Sequence, residues 1–217
     1  MKIDFKAFIR SKTTKRVLPF LPELSLRLAL DGEQLWDDVI QHMRDPDADM
    51  PYWAFAWPGG VGLARYILDN PAFVAGKIVL DFASGSGVCA LAASKAGAKT
   101  VYVCDIDPFA QAAIDMNAQD NNCLNLVPTT INFAQSVLGI DVLLAGDVCY
   151  EHLMAHRTIK WLRLCSENAN KVIIGDPMRA YAPKESVALL GKMTVPTSVK
   201  LEEVAQRDVS ILQIFPS

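Results

Sequence analysis

Beyond residue 76, short apolar runs alternate with amphipathic stretches, and this alternation constrains the fold more than any other feature of the chain. The apolar runs have the length of strands, and the stretches between them have the pattern of helices. Strands alternating with helices predict βαβ units, so we expect an α/β fold with a mostly parallel, doubly wound sheet. The predicted strands are 77–81, 100–105, 125–130, 140–146 and 171–175.

Two later apolar runs, 193–200 and 208–215, have no convincing helix between them, and Glu202 and Glu203 lie near the intervening turn. These runs are predicted to form an antiparallel hairpin at one edge of the sheet. Five parallel strands followed by such a hairpin are typical of the Rossmann-like, seven-stranded sheet of class I methyltransferases. Dinucleotide-binding domains, in contrast, usually continue with parallel strands.

A loop of small residues follows the first predicted strand and leads into a run of alanines. From Asp81 to Gly87 it reads Asp-Phe-Ala-Ser-Gly-Ser-Gly. A strand that ends in a carboxylate and turns through small residues into a helix surrounds one small charged ligand with backbone N–H groups, a helix N-terminus and an acid. The loop therefore predicts a nucleotide-cofactor site, at which Gly85 and Gly87 allow close approach of the backbone.

The glycines alone do not identify the cofactor, because Gly85-x-Gly87-x-x-Ala90 also fits the dinucleotide fingerprint and Asp105 lies where a ribose-binding acid belongs. Asp81 distinguishes the two interpretations. A carboxylate at this strand end would repel a pyrophosphate, but it would favour the sulfonium and ammonium groups of S-adenosylmethionine. S-adenosylmethionine is the predicted cofactor, and a nicotinamide or flavin dinucleotide, or a loop without cofactor, are the alternatives.

The composition of the 217 residues argues against several other functions. A hydrophobic fraction of 51% provides for one sizeable core, and a formal charge of −3 gives no overall attraction to a phosphate backbone, so no nucleic-acid partner is expected. No apolar run approaches membrane-spanning length, and the five cysteines lack metal-ligand spacing, so neither a membrane nor a metal is expected. The cysteines indicate a reduced compartment, which we expect to be the cytoplasm, or the mitochondrion in a eukaryote.

Residues 1–50 are predicted as an N-terminal helical extension, and residues 51–217 as the S-adenosylmethionine-dependent domain. Pro19 and Pro22 interrupt any helix that reaches them, and Asp31 is placed to cap the helix that follows it. No second domain is indicated.

The basic side chains Lys12, Lys15 and Arg16 have two interpretations. They either dock a protein substrate by charge, or belong to a segment that packs on the domain through Phe5 and Phe8. The sequence leaves both open.

Three aromatic residues, Trp53, Phe55 and Trp57, alternate ahead of the first sheet strand and are followed by Gly59 and Gly60. Such a stretch either packs half-buried, or forms a lid in which Trp57 and the glycines approach the cofactor.

The predicted fourth strand ends in Asp147-Val148-Cys149-Tyr150-Glu151. Open α/β sheets bind ligands beyond the carboxyl ends of their strands, so these groups should emerge at the mouth of the cofactor site. Asp147 as a mere helix N-cap is the alternative. The absence of an Asn-Pro-Pro-Tyr sequence here argues against flat amide or exocyclic amine substrates.

Asp147-x-x-Tyr150, together with Trp57-Pro58-Gly59-Gly60, resembles the seven-β-strand protein lysine methyltransferases. The resemblance implies S-adenosylmethionine-dependent N-methylation of a protein lysine, with the electron transfer flavoprotein β-subunit as the expected substrate. A methyltransferase of another protein, for example a ribosomal one, or of a small molecule, and a non-catalytic S-adenosylmethionine-binding protein are the alternatives. The similarity continues through five segments within residues 20–180: Pro22 to Leu28, Pro51 to Ala54, Tyr66 to Pro71, Asp105 to Pro108 and Ile174 to Pro177.

The resemblance also implies roles for single residues. Asp147 and Tyr150 are the predicted catalytic residues: a carboxylate favours the charged amine, so Asp147 is expected to capture and orient the lysine and also to contact the cofactor. Asp81 is assigned to the methionine ammonium and Asp105 to the ribose hydroxyls. Ala83 stands where the family often has glycine. The further predicted cofactor contacts are Trp57, Ser84, Gly85, Gly87, Ile106 and Asn132.

Overall fold

The structure, a computed structural model, describes residues 4–131, 133, 135, 137, 139–168 and 171–216. Its strands are β1 Thr14–Leu18, β2 Leu21–Leu28, β3 Ile78–Phe82, β4 Thr100–Cys104, β5 Leu126–Pro128, β6 Val142–Gly146, β7 Lys171–Asp176, β8 Val187–Pro196 and β9 Gln206–Ile214. Its helices are α1 Phe5–Lys12, α2 Gly32–Met43, α3 Pro58–Asp69, α4 Val88–Lys95, α5 Pro108–Asp120, α6 His152–Ser166 and α7 Val199–Glu202, with short 3₁₀ turns at Tyr52–Ala54 and Pro71–Phe73.

The main sheet has seven strands in the order β5-β4-β3-β6-β7-β9-β8. Strands β3 to β7 are parallel, and β9 runs antiparallel between β7 and β8. The predicted sheet with its terminal hairpin is confirmed. The first hairpin strand begins at Val187 rather than at 193 and ends at Pro196, after which the four-residue helix α7 occupies part of the predicted run.

Helices cover both faces of this sheet because successive side chains of a strand point to opposite faces. On β6, Val142 and Leu144 join the cluster formed with α3 and α4, whereas Leu143 and Ala145 join the cluster that includes Trp161 of α6. The two clusters make the central strands fully buried. The strand order reverses between β3 and β6, whose neighbours β4 and β7 lie on opposite sides, and this is where a ligand crevice is expected.

The N-terminal extension contains a β-hairpin as well as helices. Strands β1 and β2 pair antiparallel across the turn at Pro19, so the prediction of a wholly helical extension was wrong for residues 14–28. The backbone of β2 is held by α5, because Asn121 Oδ1 accepts from Ser25 N–H and Asn117 Oδ1 accepts from Arg27 N–H, each at 2.9 Å. Asp31 caps α2 as predicted.

Helix α1 packs on the domain rather than standing free. Phe8 and Ile9 are buried, and the ring of Phe5 lies 4.7 Å from that of Phe109 in α5. This core also contains Trp53, so residues on both sides of the predicted boundary at residue 50 share it, and the boundary stays a prediction.

Two of the three basic side chains singled out in this segment have acidic partners. Lys12 Nζ lies 2.7 Å from Asp38, and Lys15 Nζ lies 3.6 Å from Asp120. These contacts favour the packing interpretation over a docking surface. In the part of the chain that the structure describes, no helix combines the length and the apolar character needed to cross a membrane.

Candidate active site

The glycine loop lies at the carboxyl end of β3 and leads into α4. Gly85 has φ +54° and Gly87 has φ +79°, and both values lie in the left-handed region that favours glycine. A Cβ added at Gly87 would lie 3.1 Å from Ile114 Cγ1, whereas one added at Gly85 would meet no described atom within 4 Å, so the loop is open on that side. Ala83 adopts φ +52°, a conformation in which glycine would be less strained.

Asp81 is buried beneath this loop, with 1% of its surface exposed. Its Oδ2 accepts from the Ala90 N–H at 3.1 Å, in the first turn of α4. Burial raises the pKa of Asp81 to about 7, and the hydrogen bond from Ala90 opposes this rise only in part. The carboxyl is therefore in a place where a nearby cation would strongly favour its charged form.

Asp105, at the end of β4, links the glycine loop to the residues that precede α5. Its Oδ2 accepts from Gly85 N–H at 2.7 Å and its Oδ1 from Asp107 N–H at 3.0 Å, and burial raises its pKa. Asp107 caps α5, and burial raises its pKa to about 6. Between them, the side chain of Ile106 is 94% exposed.

The charges around the loop fit a cationic ligand. Among the described residues, Asp81, Asp105 and Asp107 form no ion pair with lysine, arginine or histidine, although their pKa values are all raised by burial. A pyrophosphate would add negative charge to this acidic crevice, whereas an ammonium and a sulfonium would relieve it. These residues thus fit S-adenosylmethionine better than a dinucleotide.

Ser84 lies behind the loop. Its hydroxyl donates to the Asp81 carbonyl oxygen at 2.8 Å and accepts from the Cys104 N–H at 3.2 Å, so it fastens the ends of β3 and β4 to each other. A direct cofactor contact by this side chain stays a prediction. Asn132 lies outside the described residues.

Asp147 follows β6 and is buried, with 8% of its surface exposed and φ +53°. Its Oδ2 accepts from the Gly60 N–H of α3 at 2.9 Å, and its Oδ1 accepts from Arg179 Nη2 at 3.1 Å. Burial raises the pKa of Asp147 to about 7, against the opposing effect of the Arg179 guanidinium. We expected this carboxylate at an open mouth; the structure instead places it at a junction of three segments.

Asp147 is also not a helix cap. That function belongs to Glu151, whose carboxylate accepts from Leu153 N–H at 2.9 Å and Met154 N–H at 2.8 Å at the start of α6. The Asp147 carboxylate therefore takes no part in capping α6, and its described contacts are with Gly60 and Arg179.

The glycines of α3 serve close packing. A Cβ on Gly59 would lie 2.3 Å from the Gly175 carbonyl oxygen, and a Cβ on Gly146 would lie 2.6 Å from Gly60 Cα. Helix α3 can therefore approach the ends of β6 and β7 only through glycine. This contact supports the packing interpretation of the two glycines over a lid.

Tyr150 is half-buried, and its ring lies 5.2 Å from that of Tyr52. Trp57 donates from Nε1 to the Tyr52 carbonyl oxygen at 2.9 Å, and its ring lies 5.9 Å from the Tyr52 ring. Burial raises the pKa of Tyr150 to about 12, so the phenol stays a hydrogen-bond donor. The structure thus joins Trp57 and Tyr150 through Tyr52.

Sequence reasoning assigned no role to Tyr52, Arg179 or Glu202. Tyr52 lies inside the segment Pro51 to Ala54, and Arg179 follows the segment Ile174 to Pro177, so both were adjacent to recognisable signals. Glu202 had only its place in the predicted hairpin turn, from which no contact follows.

Comparison with known proteins gives three kinds of match. The sequence model of the ribosomal protein L11 methyltransferase (PrmA) family matches residues 67–147. The chain is 40% identical over 206 residues to the electron transfer flavoprotein β-subunit lysine methyltransferase of Danio rerio, covering 92% of this chain and 79% of that protein. The Homo sapiens protein of the same name is 39% identical over 191 residues, covering 85% of this chain and 70% of that protein.

Among solved structures, the fold is similar to that of the Pyrococcus abyssi tRNA (uracil-54, C5)-methyltransferase in complex with S-adenosyl-L-homocysteine. The TM-score is 0.57 at 14% identity, over 94% of this chain and 44% of that one. A likeness at this identity concerns the fold alone.

Proposed function

The chain belongs to the family of electron transfer flavoprotein β-subunit lysine methyltransferases, and we propose that its own substrate is a lysine of that β-subunit. The protein is an S-adenosylmethionine-dependent protein lysine N-methyltransferase with the seven-stranded fold of such enzymes. One observation carries the proposal. Strands β3 and β6 are neighbours, so the acid-lined glycine loop after β3 lies next to Asp147 and Tyr150 after β6.

Bound S-adenosylmethionine supplies the methyl group and its own leaving group. The protein must therefore present a neutral lysine nitrogen in line with that methyl group. With a reference pKa of about 10.4, deprotonating a lysine at pH 7 costs about 4.6 kcal/mol, and burial lowers this cost whereas a carboxylate raises it. We therefore assign Asp147 to binding and orienting the amine, and not to acting as a strong base.

On the cofactor side, we assign Asp81 to the methionine ammonium and Asp105 to the ribose hydroxyls. Asp81 is buried and Asp105 is partly buried, neither has a described cationic partner, and each accepts a hydrogen bond from a backbone N–H of the loop or of α4. Gly85 leaves open space for the ligand, and the exposed side chain of Ile106 offers apolar surface to the adenine. We assign Ser84 to holding the loop in place, through the hydrogen bonds by which it links the ends of β3 and β4.

We assign Tyr150 and Tyr52 to the walls of the lysine channel, with Trp57 supporting Tyr52. Their rings are 5.2 Å apart, and Tyr150 remains 41% exposed. As methyl groups accumulate, the amine loses N–H donors but keeps its attraction to aromatic rings, so this arrangement favours more than one methylation.

The test uses the purified protein, methyl-labelled S-adenosylmethionine and the electron transfer flavoprotein as its native complex. We expect label on a lysine of the β-subunit, and none with Asp147→Asn. Ribosomal protein L11 is included as a second substrate, because the L11 methyltransferase family model matches residues 67–147. Label on L11 with none on the flavoprotein would replace the proposed substrate by the ribosomal one.

We also propose that the enzyme works where this flavoprotein is found, in the cytoplasm or, in a eukaryote, in the mitochondrion. The five cysteines are buried, which suits a reducing compartment. Fractionation of cells that express the tagged protein tests this placement.

A further inference from the structure

Arg179 lies between two buried carboxylates beyond the carboxyl end of β7. Its Nη2 is 3.1 Å from Asp147 Oδ1 and 2.6 Å from Glu202 Oε1, and its Nε is 3.3 Å from the same Asp147 oxygen. The side chains of Asp147 and Glu202 are 8% and 4% exposed. A planar guanidinium held by two buried acids has little freedom to turn.

The charge of Asp147 depends on this neighbour. Burial raises the pKa of the carboxyl, and the like charge of Asp176 raises it further. Arg179 and the Gly60 N–H lower it. Without the guanidinium, the carboxyl would hold its proton to a higher pH, and a neutral acid attracts an ammonium ion only weakly.

Other titratable groups reach this region from four neighbouring segments. The thiols of Cys89 in α4 and Cys149 after β6 are kept neutral, because burial raises their pKa. Glu202 of α7 also accepts from Arg207 of β9, whose Nε lies 3.0 Å from Oε2. Glu202 thus accepts from the same Nη2 of Arg179 that donates to Asp147, and it holds the guanidinium with a second carboxylate.

We propose that Arg179 is a positioning residue for lysine methylation: it keeps the Asp147 carboxylate charged and oriented, and Glu202 clamps it from the connection between β8 and β9. The proposal rests on the assignment of Asp147 under the proposed function. A carboxylate has about four lone-pair sites, so the contacts from Gly60 and Arg179 leave room for an incoming amine. The terminal hairpin thereby takes part in the site.

The competing explanation is that the ion pairs serve the fold alone, as buried networks can. Both explanations allow a loss of stability when Arg179 is replaced. Only the positioning function also predicts that the pH dependence of catalysis moves, because activity would then follow the charge of Asp147.

The variants are Arg179→Gln, Arg179→Lys and Glu202→Gln, with Arg65→Gln as the matched control. Arg65 is also a partly buried guanidinium between two acids, Glu23 at 2.9 Å and Asp69 at 2.7 Å, but neither is part of the site. We measure kcat and KM on the protein substrate from pH 6 to pH 10, S-adenosylhomocysteine affinity by calorimetry, and melting temperature.

Deprotonation of the substrate lysine gives one acid limb of the kcat/KM profile in every variant. For Arg179→Gln we expect the second limb, at lower pH, which follows the charge of Asp147, to move to higher pH. A move of one unit lowers kcat/KM about tenfold at pH values below the limb, and much of the loss is recovered at high pH. The limb should move less in Arg179→Lys, which keeps a cation beside Asp147, and less in Glu202→Gln than in Arg179→Gln. It should not move in Arg65→Gln. An unmoved limb in a folded, active Arg179→Gln would overturn the proposal.

A titration that needs no substrate separates this inference from the proposed function. Carboxyl ¹³C NMR of aspartate-labelled protein, with the Asp147 signal assigned by its loss in Asp147→Asn, should show a higher pKa for Asp147 in Arg179→Gln than in the wild type. If the wild type fails to methylate the flavoprotein, the proposed substrate is wrong. If the Asp147 pKa is equal in both proteins, the function given to Arg179 is wrong.

Discussion

The single carboxylate of Asp105 binds the glycine loop and is also predicted to bind the ribose. Its two oxygens accept from the N–H groups of Gly85 and Asp107, which sets the loop before any ligand enters. An amide at this position would keep one acceptor oxygen and lose the charge. We therefore expect the residue to combine loop order with ligand binding, and a graded pair of substitutions can separate the two.

We expect Asp105→Ala to weaken S-adenosylhomocysteine binding by about 1–3 kcal/mol, because charge-assisted hydrogen bonds to the ribose are lost. Asp105→Asn should lose less. Calorimetry measures both, with NAD as a ligand that should not bind. Asp141→Asn is the control: Asp141 also accepts from a backbone N–H, that of Ile78 at 2.8 Å, but at the opposite end of the sheet. Tight NAD binding would contradict the cofactor assignment.

Asp147 should matter to stability as well as to catalysis. Asp147→Ala removes the acceptor of the Gly60 N–H and one of the two acidic partners of Arg179, which keeps Glu202, and leaving a buried donor unsatisfied costs about 1–3 kcal/mol. Asp147→Asn tolerates the φ of +53° and keeps one acceptor, so it should melt higher than the alanine variant yet be equally inactive. Equal melting temperatures for wild type and Asp147→Ala would show that these contacts contribute nothing to stability.

At the scale of elements, the approach of α3 to the sheet sets the geometry of the site. The helix presents Gly59 to the Gly175 carbonyl and Gly60 to Gly146, and its first turn donates the N–H that Asp147 accepts. A shift of this helix would move Asp147 and the segment that carries Trp57 together. The packing of glycine on glycine is thus connected to the chemistry.

We expect Gly59→Ala to destabilise the protein by about 1–3 kcal/mol and to lower kcat, since the new Cβ must push α3 from the sheet. The clash is with backbone, at 2.3 Å from Gly175 O, and with Asp147 Oδ2 at 2.6 Å. Gly60→Ala is the neighbouring control, because its Cβ would meet Val88 Cγ1 at 3.2 Å, a side chain that can give way. Chemical denaturation and steady-state kinetics test whether Gly59→Ala loses more stability and activity than Gly60→Ala. A Gly59→Ala variant that is more stable than Gly60→Ala would contradict the prediction.

For the whole molecule, the buried acids make stability depend on pH. Burial raises the pKa of Asp107 to about 6 and of Asp81 and Asp147 to about 7. The unfolded chain loses these protons near pH 4, so between about pH 4 and pH 7 the folded protein binds more protons than the unfolded one. Stability therefore falls as pH rises through this window.

We expect the ligand-free protein to melt at a lower temperature at pH 8 than at pH 5.5. S-adenosylhomocysteine, which brings an ammonium group, should raise the melting temperature more at pH 8, where Asp81 must be charged. Asp81→Asn should flatten the dependence, and Glu167→Gln, a change on the surface at the end of α6, should not. Calorimetry across this range tests the sign; a melting temperature that rises towards pH 8 would contradict it.

The sequence by itself determined the sheet with its terminal hairpin, and it predicted the strand ends at which the candidate site lies. These rest on patterns within a few residues of one another: the apolar runs, the carboxylate before the glycine loop, and the cap Asp31. Local periodicity predicts such features because each element must bury its own face. The general rule for open sheets then places the strand ends Asp81, Asp105 and Asp147 at one edge.

Only the tertiary structure decided what surrounds those residues. Arg179 lies 32 positions from Asp147, and Gly60 lies 87 positions from it, yet together they bury a carboxylate that local pattern places in the open. The pairing of Tyr52 with Tyr150 likewise joins segments far apart in the chain. No periodicity encodes such contacts, because they depend on how closely helices approach the sheet, and that distance is set by packing between elements.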